Sequence, residues 1–148
     1  MIRLAHLIAT VSITSLGFAQ ESDIDQRIRT LGGLDPAMTR SFFTEMRQAI
    51  IDGDRTKISH VIRYPITVYI GKRRHKIHSA SEFKALYPAI INPYVRQAVI
   101  DQTYDDLFVR SPGVAISNGI IWFSALQSKS GKFDRFRILA INNLLPSP

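Results

Sequence analysis

The 148-residue chain contains no cysteine. This absence excludes disulfide bonds, thiol chemistry and a cysteine-linked lipid anchor, and it leaves the redox compartment open. The sequence also lacks a Gly-x-Ser-x-Gly turn, a phosphate-binding glycine loop and a zinc-protease motif. No internal repeat or low-complexity segment interrupts it. A chain of this length with 45% hydrophobic residues fits one globular domain with its own core.

The first 19 residues, MIRLAHLIATVSITSLGFA, have the features of a secretory signal peptide. Arg3 supplies a positive start, residues 4–16 form an apolar stretch, and Ala19 is a small residue at the expected cleavage site. Because the stretch is shorter than the roughly 18 residues that a spanning helix needs, we expect cleavage rather than a retained anchor. The sequence therefore predicts a periplasmic or secreted protein that does not span a membrane after cleavage.

The chain is basic. Its formal net charge is +7, and it becomes +6 when Arg3 is lost with residues 1–19. An exported basic protein meets anionic lipids, cell-wall polymers or acidic proteins, and its charge bears on such association rather than on the fold. Solubility is an equally good explanation of the charge.

Local sequence signals predict three segments after cleavage: a flexible lead over 20–34, a single domain over 35–143 and a tail over 144–148. Asp35 followed by Pro36 has the chemistry of a helix cap and first turn. Asp54 is expected to cap a second, shorter helix. Ser79 opens a longer helix with capping-box spacing, and Asn92 interrupts and restarts it.

Alternating and β-branched residues, bounded by turn signals, predict the strands. They are expected over 66–70, 74–78, 107–109, 114–116, 120–126 and 133–141. This order of elements predicts an α+β fold, with N-terminal helices and a long helix packed on a curved, mainly antiparallel sheet.

The stretch YIGKRRHKIH, residues 69–78, is rich in basic side chains. On a strand, His75 and His78 point to opposite faces and do not converge on one ion, so no metal site is expected. Nucleic acid is not expected as a partner, because Tyr69 is the only aromatic platform close to the charges. We predict a solvated electrostatic surface of Lys72, Arg73, Arg74, Lys76 and His78, in which Arg74, Lys76 and His78 share one face.

Candidate catalytic and binding residues rest on residue type alone. Acid–base chemistry would use a histidine or a carboxylate, and the candidates are His60, Asp101, Asp105 and Asp106. The competing interpretation of His60 is a hydrogen-bonded structural role. For the three aspartates it is exposure to water, since carboxylates near helix ends and turns usually face solvent. The candidate ligand-binding residues are Tyr64, Tyr69, Trp122 and Asn142, because concave sites are commonly lined with aromatic side chains. For Trp122, in a strand that is apolar on both faces, core packing is the alternative.

Several short pieces support a resemblance to a known superfamily: IRYP at 62–65, EF at 82–83, LF at 107–108, GV at 113–114, NGIIWF at 118–123 and AIN at 140–142. With the order of elements, they make the domain resemble the nuclear transport factor 2-like, or cystatin-like, superfamily, and within it small exported bacterial proteins of unknown role. The resemblance implies a cone between sheet and helix that holds a ligand, catalyses acid–base chemistry or serves as an interface. No catalytic acid or histidine–acid pair of that superfamily can be matched here, so no catalytic assignment follows.

The leading hypothesis is an exported noncatalytic domain that binds a small molecule or an envelope protein through the cone or the sheet face, without a cofactor. The alternative is a small acid–base enzyme, of the isomerase, dehydratase or hydrolase type, with its site in the cone. A third interpretation is an envelope-surface adaptor that uses the basic hairpin. A homodimer through the sheet is also left open.

Overall fold

A computed structural model describes residues 21–129, 131 and 133–144, the last range without the side chains of residues 133 and 134. The predicted signal peptide and residues 145–148 of the predicted tail lie outside the described residues. The described chain is α+β, which confirms the predicted fold class. Its helices are α1 (Asp23–Thr30), α2 (Pro36–Asp52), α3 (Arg55–His60), α4 (Ala80–Ile90) and α5 (Pro93–Asp101). Its strands are β1 (Ile66–Ile70), β2 (Arg73–Ile77), β3 (Phe108–Arg110), β4 (Gly113–Ile116), β5 (Ile121–Gln127) and β6 (Phe133–Ile141).

Helix α1 lies in the segment that the sequence predicted to be a flexible lead. The Ser22 hydroxyl caps it by accepting from the backbone N–H of Asp25. Ile24 and Ile28, one helical turn apart, are 3% and 0% exposed, so they anchor the helix to the core. The expectation is corrected because two apolar residues at this spacing are enough to dock a short polar segment.

Helices α2 and α3 begin where the sequence predicted. The Asp35 carboxylate accepts from the backbone N–H of Met38 at 2.8 Å, and the Asp54 carboxylate accepts from that of Lys57 at 2.9 Å. Between them, Gly53 ends α2 with a φ of 70°, a left-handed conformation that glycine adopts without strain.

The predicted interruption at Asn92 is confirmed, because it separates α4 from α5. Ser79 Oγ accepts from the backbone N–H of Glu82, whose carboxylate accepts in turn from the backbone N–H of His78. Asn92 Oδ1 caps α5 by accepting from the N–H of Val95 at 3.0 Å. The longest described helix is instead α2, with 17 residues.

The strands form two antiparallel sheets, β1-β2 and β3-β4-β5-β6. The helices cover one face of the four-stranded sheet. There the Phe42 ring of α2 lies 5.3 Å from the rings of both Phe123 and Phe136. On this face Val114, Phe123 and Ile138 are neighbours across the strands, and all three are 0% exposed. The sheet therefore packs its inner face on α2 and turns its other face away from the helices.

Two contacts, one just before β1 and one just after β6, hold the hairpin beside β6. Just before β1, Ile62 forms an isolated parallel bridge with Ile138. Beyond β6, the buried side-chain amide of Asn143 accepts from the N–H of Tyr69 at 2.8 Å and donates to its carbonyl at 2.7 Å. The same amide donates to the Ala89 carbonyl at 3.2 Å. One side chain thus takes the place of a strand neighbour for β1, while the cone-like curvature stays a prediction.

Candidate functional site

The face of the four-stranded sheet that the helices leave uncovered carries a pair of aromatic rings. Phe108 on β3 and Trp122 on β5 are both direct neighbours of Ala115 on β4. Their ring centroids lie 5.9 Å apart at 90°, an edge-to-face contact. Ala115 is 0% exposed, whereas Phe108 remains 39% exposed. The small residue in the middle strand therefore lets two large rings meet above it at the surface.

The indole of Trp122 is held against a turn. Gly119 has a φ of 109°, and a Cβ on it would lie 2.9 Å from Trp122 Nε1. Among the described residues the indole N–H has no hydrogen-bond acceptor. The indole nitrogen is not a buried atom without a partner either, because the Tyr87 hydroxyl is the single such side-chain atom in the described part of the chain. The indole N–H is consequently open to solvent and can donate to a bound group.

Arginines flank the two rings. Arg110 follows Phe108 by two residues on β3, so both side chains point to the same side of the sheet. On β6, Arg137 lies opposite Ser124 and Arg135 opposite Leu126. We call this surface, formed by Phe108, Trp122, Arg110, Arg135 and Arg137, the aromatic face. Arg135 and Arg137, on the edge strand β6, also line a depression beside α2 together with Glu45.

A second cationic surface lies on the hairpin. Arg74 pairs with Tyr69 and Lys76 with Thr67, while His75 pairs with Val68 and Arg73 with Ile70. Alternate residues of β2 therefore point to opposite faces, as expected, yet residues 73–76 are all exposed. Lys72 in the turn is exposed too. We call Lys72, Arg73, Arg74 and Lys76 the cationic hairpin.

The predicted stripe of Arg74, Lys76 and His78 is shorter than expected. Arg74 and Lys76 share a face of β2, but β2 ends at Ile77, and the backbone of His78 already bonds Glu82 at the start of α4. His78 is exposed beyond the end of the strand. Alternation therefore stops one residue before the histidine.

The four predicted ligand-binding residues do not converge on a pocket. The half-buried Tyr64 donates its hydroxyl to the Ser59 carbonyl at 2.8 Å, and burial raises the pKa of Tyr64 to about 12. Asn142 is exposed and its amide donates to the Gly119 carbonyl. Tyr69 bonds through its backbone, and Trp122 belongs to the aromatic face. None of these four residues lines any of the four depressions described for this chain.

The four candidate catalytic residues do not enter a cavity either. His60, Asp101, Asp105 and Asp106 are all exposed. Asp101 accepts from the Gln97 amide at 2.7 Å, so its carboxylate is occupied at the end of α5. The acid–base alternative required at least one of these side chains to point into the cone. The structure places all four on the surface, and none of them lines a depression described for this chain.

A partly buried polar cluster, which no local sequence pattern indicates, holds α1. The Tyr104 hydroxyl lies 2.9 Å from Asp25 Oδ1 and 3.1 Å from the Pro36 carbonyl, and the Arg40 guanidinium lies 3.7 Å above the Tyr104 ring. Burial acts to raise the pKa of Asp25, but hydrogen bonds from Ser22 and Tyr104 and the charge of Arg40 outweigh it, so the pKa is lowered. Burial and the carboxylate together raise the pKa of Tyr104. Tyr104 and Asp25 are 79 residues apart in sequence, too far for a local pattern to show.

An open groove of about 850 Å³ runs beside this cluster, between α1 and the start of α2. Its charged lining is largely paired internally, because Arg29 bonds Glu21 at 2.6 Å and Arg40 bonds Asp25 at 3.3 Å. A smaller depression of about 430 Å³ between α4 and α5 is lined in part by Tyr87 and Arg96. Both are open depressions rather than enclosed cavities.

Within the residues that the structure describes, no helix combines the length and apolar character needed to cross a membrane. Over the same residues, no group of three or more His, Cys, Asp or Glu side chains is placed to hold a metal ion. Comparisons of the chain with protein families, with curated proteins and with solved structures find no match.

Proposed function

We propose that the chain is an exported, noncatalytic binding domain that recognises an acidic protein partner through the aromatic face. The observation that carries the proposal is the Phe108–Trp122 ring pair on the side of the sheet opposite α2. Protein-binding hot spots are enriched in tryptophan and arginine, and aromatic residues are enriched in interface cores. The aromatic face presents both types within a few strand spacings.

Charge selects the kind of partner. Arg110 and Arg135 are exposed, and Arg137 is half-buried with one guanidinium nitrogen bonded to the Phe136 carbonyl. None of the three forms an ion pair among the described residues. A second copy of this chain would bring like charges together across a two-fold interface. An acidic protein therefore fits the surface better than the homodimer, and the predicted homodimer remains to be tested by the oligomeric state in solution.

The experiment cross-links the wild type and two variants to envelope proteins and compares how much of an acidic protein each one captures. Phe108→Ser with Trp122→Ala removes the ring pair, while Leu31→Ser with Leu144→Ser removes two other exposed apolar side chains, which are 53% and 46% exposed. We expect a cross-linked acidic protein with the wild type and the control, and roughly 30-fold weaker binding of that protein by the ring variant.

The two variants must first be shown to keep the fold, by circular dichroism and thermal unfolding. If the ring variant loses the fold, Phe108→Ser alone replaces it, since Phe108 is the more exposed ring. Equal capture of the acidic protein by the wild type and by the folded ring variant would refute the aromatic face as the binding surface.

A further inference from the structure

The cationic hairpin is separate from the aromatic face and has a different chemistry. From Arg55 to Ser81 the sequence contains no acidic residue. The ion pairs of the described residues join Arg27 to Asp23, Arg29 to Glu21 and Arg40 to Asp25, so none includes a hairpin cation. The charges of the cationic hairpin are therefore available to a partner outside the chain.

The position of β2 determines how that partner is met. Val68 on β1 is 0% exposed, while its neighbour His75 on β2 is exposed, so the domain covers this face of β1 but leaves β2 outside. Among the strands that the structure describes, β2 pairs with β1 alone and so forms an edge of its sheet. Of its residues, Ile77 alone is buried.

An edge-on contact uses all the hairpin charges. Arg73 points to one face of β2, and Arg74 and Lys76 point to the other, so a partner that covers one face meets only part of the set. A flat partner that touches the strand edge meets both, because long lysine and arginine side chains can bend toward it. Residues 72–76 span roughly 13 Å at strand spacing, which makes a continuous line of positive charge.

We propose that the cationic hairpin docks edge-on to an anionic lipid surface, through the phosphate groups of its headgroups. The hairpin lacks the exposed aromatic anchor that a protein hot spot needs, since its aromatic residue, Tyr69, is half-buried. Ile70, the apolar residue beside it, is half-buried too. Addition of a peptide strand at this edge is disfavoured too, because charged side chains on edge strands oppose strand pairing. A charged lipid surface needs neither an anchor nor shape complementarity.

The test measures sedimentation of the mature chain with vesicles of phosphatidylcholine, with and without phosphatidylglycerol. Arg74→Gln with Lys76→Gln is compared with Arg55→Gln with Lys129→Gln, which removes the same net charge from exposed positions outside the hairpin and the aromatic face. A second hairpin pair, Lys72→Gln with Arg73→Gln, repeats the comparison if the first does not fold. Vesicle binding should weaken by roughly fivefold for each hairpin cation removed, and far less in the control.

Salt and competitors identify the source of the phosphate. Binding to phosphatidylglycerol vesicles should fall steeply between about 0.1 M and 1 M salt, as the screening length shortens from about 10 Å to about 3 Å. Inorganic phosphate should displace the protein no better than chloride at equal ionic strength. Preferential displacement by phosphate, tighter binding to duplex DNA than to the vesicles, or equal losses in the hairpin and control pairs would overturn the proposal. Capture of a protein by the aromatic face does not enter this test, so the two proposals fail independently.

Discussion

The side chain of Asn143 offers the sharpest test of how the hairpin is held. It is 3% exposed, and its amide makes three hydrogen bonds to backbone groups of two other elements. Asn143→Ala removes all three and leaves the N–H and carbonyl of Tyr69 and the carbonyl of Ala89 without these partners. The next side chain along, Asn142, is exposed and makes one bond, to the Gly119 carbonyl.

The expected loss follows from these bonds. A hydrogen bond contributes about 1 kcal/mol net, and an unpaired buried group costs about 1–3 kcal/mol. Because Tyr69 is half-buried, water can partly replace the lost partners, so the lower figure applies to each bond. Asn143→Ala should therefore lower the free energy of unfolding by about 3 kcal/mol, which corresponds to roughly 10 °C in the thermal midpoint of a domain of this size. Asn143→Asp should lower the free energy of unfolding by at least as much, since it removes both hydrogen bonds that the amide donates and buries a charge.

The assay is urea unfolding followed by circular dichroism, with Asn142→Ala as the matched control. That control should cost less than about 1 kcal/mol, because its side chain is solvated. Hydrogen exchange at the N–H of Tyr69 should accelerate in Asn143→Ala and stay unchanged in the control. Equal unfolding free energies for the two alanine variants would refute the argument that this amide replaces a strand neighbour.

Four further predictions concern stability and the aromatic face. Tyr87→Phe removes a buried hydroxyl without a partner and should raise the free energy of unfolding by about 1 kcal/mol, as measured in urea. The lowered pKa of Asp25 means that its ionised form stabilises the fold above about pH 4; Asp25→Asn should be less stable at neutral pH, with a gap that closes as the pH falls below 4. The raised pKa of Tyr64 means that stability is complete below about pH 10 and is lost as the pH rises through 12; Tyr64→Phe should remove that loss in alkaline unfolding curves. Gly119→Ala would bring a methyl group to 2.9 Å from Trp122 Nε1, so it should shift the emission of the single tryptophan, whereas an unchanged spectrum would contradict that placement.

The local signals in the sequence located most of the elements. Asp35, Asp54, Ser79 and Asn92 each cap a helix where their residue types indicated, because a cap needs only the backbone N–H groups two or three positions ahead. Alternation placed the strands to within one or two residues for the same reason. The segment 20–34 was misjudged because its two buried isoleucines are too few to show an apolar face among polar neighbours.

The candidate site was only partly within reach of the sequence. Trp122 was identified as an aromatic of interest, but its contact with Phe108 depends on the pairing of three strands. The candidate catalytic residues were chosen by type, and only burial could show that all four lie on the surface. Asn142 was chosen by residue type, and only the packing beside the hairpin distinguishes it from the chemically identical Asn143.

The sequence by itself determined the α+β class, the helix caps, the strand alternation and the excess of positive charge, since each depends on residues within a few positions of one another. Tertiary structure alone decided that β2 lies outside β1, that Asn143 bonds a strand 74 residues away and that Tyr104 holds α1 through Asp25. Partners so far apart meet only when the whole chain is packed, because the exposure of a side chain is a property of everything folded around it.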